Sequence, residues 1–526
     1  MSLLLPVELY DHVTHESLTA AVERAKSWRS RDIEISTDDL TDAVLSDLLA
    51  AAEKGGNKSF ARVITSIQSM RSGDFSKSIP RFDAAASAIL AYLRHNIIDG
   101  WVYCKDVDGH LHPYLVTKVN VDRTPRDDPY LNITMIANGG NSQLGATKNS
   151  VALFPQDVTR KKVEDILLAK GIFKETAELK AQYEKDLEKY RIILTTGFAE
   201  QYRYFGTPLA GDRWGDSKSH RSTKVIHDIS PMEIPAFSTS APSILFSEGN
   251  KEPGIGPVPT RTILYVFDLA VHEFIWVNTK DLMAYEYNPN LRDVLVLPPE
   301  QSDLLDILTT DVETFIGDVI EGKSAGNVIL CKGPAGVGKT LTAEVYSEII
   351  ERPLYSIHSG SLGTSAQDIR KNLETIFKRA KRWNAVLLLD EADVFVLERG
   401  ESIEQNAIVA EFLRTLEYFS GLMFMTTNRA DSIDDAIVSR CAAIIGYDFP
   451  SREAARRIWE VQAANNGVTL EEDLLEDLLT HLPKTSGRDV KMLLRLALRV
   501  SKGHDEPLSL DLFRRCSMFR AIEFVE

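Results

Sequence analysis

Residues 333–340 read GPAGVGKT and fit the spacing G-x-x-x-x-G-K-[ST]. The run before them, NVILCK at 327–332, has the apolar character of a buried strand. The run after them, LTAEVYSEII, carries Leu341, Val345 and Ile349 on one side at helical spacing. A glycine-rich turn between strand and helix is a phosphate loop. Gly333, Gly336 and Gly338 permit positive φ and close approach of an anion to the backbone, and the helix that follows points its positive dipole end at that anion. Pro334, Ala335, Val337 and Leu341 complete the segment expected to wrap the phosphates. Lys339 is expected to reach the β and γ phosphates and Thr340 to offer its hydroxyl to Mg²⁺, so the ligand read from this stretch is a nucleotide phosphate with Mg²⁺.

Downstream, residues 385–393 read AVLLLDEAD, an apolar strand that ends in adjacent carboxylates, a Walker B pattern. A strand apolar on both faces belongs at the centre of a parallel sheet, and such sheets bind ligands beyond the carboxyl ends of their strands. Asp390 is therefore expected in the Mg²⁺ shell, and Glu391 is expected to polarise the water that attacks the γ phosphate.

The chain has 526 residues, which calls for more than one domain, and its 44% hydrophobic and 26% charged content is that of globular protein. A formal net charge of -16 and an isoelectric point near 5.3 oppose broad, charge-driven nucleic-acid binding and make a nucleic-acid partner the minority expectation. Cys104, Cys331, Cys441 and Cys516 lack C-x-x-C spacing and read as reduced apolar fillers. The opening MSLLLPVELY has no basic leader, and no apolar run approaches the roughly 18 residues that span a bilayer. These features predict a cytoplasmic protein without membrane attachment.

Taken in order, residues 1–95 read as mostly helical. From Trp101 the period changes to two, with a hairpin turn at Asp108-Gly109 and a further strand over PYLNITMIAN, which together predict an antiparallel sheet. His110 and His112 alternate beside that turn and are of a metal-ligand type, but the expected reading is that of solvated strand-edge residues. Asp106 and Asp108 imitate the start of a calcium loop but lack its downstream ligands, and read as a turn. Residues 159–205 return to helix, with Leu179, Tyr183, Leu187, Tyr190 and Leu194 forming one stripe. Residues 206–260, rich in Gly, Pro and Ser, predict a mobile connection. RTILYVFDLAVHEFIWVNT reads as two strands. Its His272-Glu273 begins a zincin-like motif, but Trp276 stands where the second histidine belongs.

Beyond Glu391, GLMFMTTNR is another apolar strand, ending in Thr427 and Asn428, and SIDDAIVSRCAAIIGYDFP supplies a short helix closed by Arg440 and then a strand. With these elements in place the region from about Asp303 to Arg499 resembles an AAA+ ATPase module. The resemblance implies a parallel sheet flanked by helices, an α/β core at 298–449, a helical lid at 450–526, and a mixed α+β region at 1–297 ahead of them. It makes Asn428 the sensor 1 residue, on a strand between the two Walker elements. Arg440 falls at the arginine-finger position, which serves the γ phosphate of a neighbouring subunit and so implies a homo-oligomer, a hexameric ring. Arg488 in TSGRDVK falls at the sensor 2 position, where many members of the central AAA clade carry a small residue.

One departure concerns the pore. Between PLYSIHS and KNLETIFKRA, protein-threading members carry an aromatic, hydrophobic, glycine loop, whereas this chain has GSLGTSAQDI, with Leu362 its only sizeable apolar residue before the helix. The leading expectation is an ATP-hydrolysing ring that engages a protein partner through residues 1–297 and remodels it. A nucleotide-switched assembly protein with slow turnover is the alternative, and a DNA-handling loader a third reading.

Overall fold

The computed structural model describes residues 2–28, 32–36, 39–123, 128–139, 146–209, 222–228, 258–310, 327–398, 403–429 and 433–525. They fall into two compact units, one of residues 1–198 with 202–283 and one of residues 199–201 with 284–526. Among the described residues, no helix is long and apolar enough to cross a membrane.

In the second unit, the strands predicted from apolar runs do form one parallel sheet. Its spatial order is Leu354–His358, Val386–Asp390, Leu422–Thr427, Asn327–Lys332, Ala443–Gly446. Val386 to Leu389, Val328 to Cys331 and all of Leu422–Thr427 are buried, which is why these strands show no alternation in sequence. The chain leaves Asn327–Lys332 for the far edge and returns later to its other neighbour. The order therefore reverses beside the glycine-rich turn, where sheets of this kind bind ligands. Helices Arg452–Asn465, Glu472–His481, Gly487–His504 and Leu510–Met518 bury a separate core that includes Trp459, Leu478, Leu493, Leu494 and Phe513.

Leu362 is not a pore side chain. It is buried at 0% relative exposure, with its carbonyl accepting from Asn372 Nδ2 at 3.0 Å. What GSLGTS presents to solvent is Gly360, Ser361, Gly363 and Thr364, which offer no apolar grip. Leu362→Ala is therefore a core truncation, expected to destabilise the second unit by about 2–5 kcal/mol. Chemical denaturation followed by tryptophan fluorescence checks this, and a change below about 0.5 kcal/mol would show that the residue is solvated after all.

The first unit is α+β, and here sequence reasoning missed pieces. Residues 1–95 are not helical throughout, because Ser2–Pro6 pairs antiparallel with Asp32–Ser36 and buries Leu3, Leu5 and Ile35. The hairpin at Asp108-Gly109 joins Trp101–Lys105 to Leu111–Asp122, and Tyr130–Asn138, Ala146–Leu153 and Ile172–Lys174 complete a five-stranded antiparallel sheet. A second five-stranded sheet runs Glu273–Asn278, Ile263–Asp268, Thr223–His227, Gln201–Tyr204, Leu282–Ala284. Thr223–His227 and Gln201–Tyr204 lie where a mobile connection and a helix were expected. Residues 210–221 and 229–257 of that connection lie outside the described residues.

The helix Ala177–Thr196 starts at an N-cap, Thr176 Oγ1, which accepts from Leu179 N at 3.2 Å. Its stripe divides. Leu179, Tyr183 and Leu187 pack with Trp101, Tyr103 and Leu115 of the first sheet, whereas Tyr190 and Ile193 pack with Val266, Val277 and Leu282 of the second.

Candidate nucleotide site

Three glycines shape the loop. A Cβ at Gly333 (φ 146) would lie 2.1 Å from the Tyr447 carbonyl oxygen, and one at Gly336 (φ 83) would lie 2.6 Å from Ser486 Oγ. Gly338 (φ 106) meets nothing within 4 Å and is the left-handed cap of the helix Lys339–Ile349, which has no side-chain cap. The first turn of that helix therefore keeps its N–H groups free of side-chain acceptors, as an anion site needs.

Lys339 lies inside this loop, 6% exposed. Its ammonium donates to the carbonyl oxygens of Gly333 at 2.7 Å and Pro334 at 2.5 Å, and to Asn428 Oδ1 at 2.9 Å. Among the described residues no carboxylate lies within ion-pair distance of it. A buried ammonium held only by neutral oxygens is costly without an anion, and phosphate supplies one. Burial pulls Lys339 below the usual lysine range. Asp390 and Asp393 oppose that pull, while the charge of Arg488 adds to it.

Thr340 Oγ1 donates to Asp390 Oδ1 at 2.9 Å, so the two residues expected to share Mg²⁺ are already side by side. A hydroxyl and a carboxylate at the carboxyl end of a parallel sheet are a donor set of the hard-oxygen type that Mg²⁺ takes, completed by waters and substrate phosphate. Asp390 Oδ1 also accepts from Thr426 Oγ1 at 2.5 Å, and the Thr426 hydroxyl accepts from Glu391 N at 3.0 Å. Glu391 has φ 55, a left-handed conformation that a non-glycine residue adopts only when its surroundings impose it. The imposing contacts are that bond and the one from Ala392 N to Thr426 O at 2.8 Å. They turn the chain sharply off the strand and leave the Glu391 carboxylate exposed.

Asn428 ends the adjacent strand, with its N–H donating to Asp393 Oδ1 at 3.0 Å while Thr427 Oγ1 donates to the same oxygen at 2.6 Å. Arg488 N donates to the Gly336 carbonyl at 3.2 Å, which seats the helix Gly487–His504 on the loop. Arg440 is not gathered into this group. Its guanidinium donates to the Ala436 carbonyl at 2.9 Å and pairs with Glu417. Leu341 is exposed at the mouth, and Pro334, Ala335 and Val337 line the loop without side-chain polar contacts.

Sequence reasoning gave no role to Thr426, Asp393, Ser486 or Tyr447. Thr426 and Asp393 orient Asp390, Glu391 and Asn428. Ser486 closes a capping box with Asp489 directly against Gly336, and its signal was legible as S-x-x-D ahead of an apolar helix. Tyr447 donates from its hydroxyl to Thr342 Oγ1 at 2.8 Å behind the loop, a tertiary contact that leaves no local pattern.

Residues 329–449 match a family model described as ATPase family associated with various cellular activities (AAA). Among curated relatives, the ATP-dependent zinc metalloprotease FtsH 2 of Salinibacter ruber is 29% identical over 197 residues, covering 34% of this chain and 28% of that protein. Fidgetin-like protein 1 of Drosophila melanogaster is 24% identical over 256 residues, covering 47% of this chain and 46% of that protein. The chain thus spans under half the length of these relatives. Among solved structures, an E. coli MS115-1 HORMA:CdnC:Trip13 complex matches with TM-score 0.36 and 17% identity, over 44% of this chain and 90% of that one. The FIGL-1 AAA domain in complex with ADP matches with TM-score 0.36 and 19% identity, over 44% and 84%. Residues 329–449, with their glycine-rich loop and paired carboxylates on a parallel sheet, are thus the part of this chain that matches the AAA family.

Proposed function

We propose that the protein hydrolyses ATP to ADP and phosphate and couples this to remodelling a protein partner. The observation that supports the ATPase reading is the buried Lys339 ammonium beside Thr340 and Asp390, a cation and a hard-oxygen pair of the kind a triphosphate with Mg²⁺ requires. In this reading Lys339, Gly333 to Gly338 and the start of the following helix hold the phosphates, and Thr340 and Asp390 hold Mg²⁺. Mg²⁺ would neutralise charge on the β and γ phosphates. Glu391 takes the proton of the attacking water and Asn428 orients that water. Arg488, on the lid helix and 3.2 Å by its N–H from the Gly336 carbonyl, senses nucleotide from within the chain. Arg440 serves the site of the next subunit in a ring. We assign partner engagement to residues 1–297, supported by their having two five-stranded sheets and a core of their own.

The experiment is capture with full-length Glu391→Gln protein. It should retain a partner in the presence of ATP and release it once nucleotide is removed, and a fragment of residues 284–526, which keeps the core of the second unit, should retain none. Capture that ignores ATP, or that the fragment achieves as well as the full chain, would remove the reading.

A further inference from the structure

The hairpin turn of the first unit gathers side chains that the nucleotide site does not use. Asp106 Oδ1 accepts from the N–H groups of Asp108 at 3.0 Å and His110 at 2.9 Å, and its Oδ2 from Asn278 Nδ2 at 2.8 Å with His112 Nε2 at 2.9 Å. Asp106 is thereby saturated, and it fixes the turn that carries Asp108 and His110. His112, expected to be solvated, is 2% exposed. His110 Nε2 lies 3.0 Å from Asp281 Oδ2, although the two residues are 171 positions apart in the chain.

Asp281 arrives on the short turn Thr279–Asp281, which the helix Ala177–Thr196 holds in place. Lys189 Nζ donates to the carbonyls of Lys280 at 3.1 Å and Leu282 at 2.9 Å, and Lys280 pairs with Asp186 at 2.8 Å. One ligand atom from each of Asp108, His110 and Asp281 lies within 4.8 Å of the others. Ligands delivered by two sheets and fixed by hydrogen-bonded supports are arranged as metal ligands are.

A separate observation points to a ligand at the same place. Tyr204 is 1% exposed, and its hydroxyl has no hydrogen-bond partner among the described residues. That hydroxyl and Asp281 Oδ2 converge on Gly206, at 2.7 Å and 2.6 Å from the point where a Cβ would stand. A buried phenol left unpaired costs about 1–3 kcal/mol, and phenylalanine would fill the space without that cost. Burial, then the carboxylates of Asp281, Asp108 and Asp106, raise the hydroxyl above the ordinary tyrosine range.

We infer that Asp108, His110 and Asp281 bind a divalent first-row metal ion, with the Tyr204 hydroxyl at its edge. One imidazole nitrogen and two carboxylates suit Zn²⁺ or Mn²⁺ better than Ca²⁺, which takes six to eight oxygens. The ion ties the hairpin of the first sheet to the turn of the second. Asp108 Oδ2 also accepts from Thr207 N at 2.7 Å, so the chain leaving Gln201–Tyr204 is held at the same point.

The test uses nucleotide-free full-length protein stripped with chelator and titrated with Zn²⁺ and with Mn²⁺. After desalting, elemental analysis should find about one ion per chain, and the melting temperature of the first unit should rise by roughly 5 °C. His110→Gln and Asp281→Asn should lose both the ion and the rise, while Asp390→Asn, which alters only the nucleotide site, should keep both. Absence of a stoichiometric ion in wild type, or retention by His110→Gln, overturns the inference. Should both variants misfold by circular dichroism, Co²⁺-loaded wild type decides. A visible absorption band distinct from aqueous Co²⁺ supports the site, and its absence overturns it.

Discussion

Lys339→Ala is expected to lose ATP binding, whereas Glu391→Gln binds ATP as wild type does and loses turnover by about 10²–10⁴. The difference follows from what each side chain faces. Lys339 is buried among carbonyl oxygens and, among the described residues, has no carboxylate within ion-pair distance, so its charge is available to a phosphate. Removing it leaves anion in a partly dry loop without a counter-charge. About 3 kcal/mol, or roughly a hundredfold in Kd, is the expected loss. The fold itself need not suffer, because burying that ammonium costs the nucleotide-free protein free energy. Glu391 is exposed and, among the described residues, bonds only through its backbone, so the amide isostere preserves the turn at φ 55 while removing the proposed base. Equilibrium binding of a fluorescent ATP analogue, set beside phosphate release, separates the two. Equal loss of binding in both variants would make Glu391 a structural residue.

The parts of this site that were legible in sequence are those whose chemistry is local. GPAGVGKT and AVLLLDEAD each carry their residues within a few positions of a strand end, so the pattern and the geometry coincide. The parts that were not legible depend on contacts across the sheet or across the chain. Thr426 bonds Asp390 from a neighbouring strand, and Tyr447 backs Gly333 from the sheet edge. Neither has a sequence signature, since threonine and tyrosine are ordinary strand residues.

The first unit shows the same limit more strongly. Its hairpin at Asp108-Gly109 was readable because turn chemistry is local. Asp281 reaches His110 only after two sheets are packed by the helix Ala177–Thr196. Leu362 failed for the opposite reason: an apolar residue in a glycine-rich segment reads as exposed, yet the turn folds inward and buries it.

Arg440→Ala should leave ATP binding intact in each subunit and lower turnover by about 10³–10⁵, the range of an arginine finger supplied in trans. Within its own chain the Arg440 guanidinium bonds Glu417 and the Ala436 carbonyl, and it makes no hydrogen bond to Asp390, Glu391, Asn428 or Lys339. A finger that acts on a neighbour should look like this in a single chain: ordered by local contacts, close to the surface, and absent from its own site. The competing account is that Arg440 merely balances a helix end through Ala436, a role worth about 0.3–1 kcal/mol of stability and nothing in rate. Mixing decides between them. Arg440→Ala protein keeps an intact phosphate loop, and Lys339→Ala protein keeps an intact finger, so interfaces that pair the two recover activity that neither variant has alone. Turnover in a titration of one variant into the other should rise to a maximum near equal proportions. If mixed assemblies form by native mass spectrometry and turnover stays flat, the two residues do not meet across an interface, and the ring reading loses its mechanistic support.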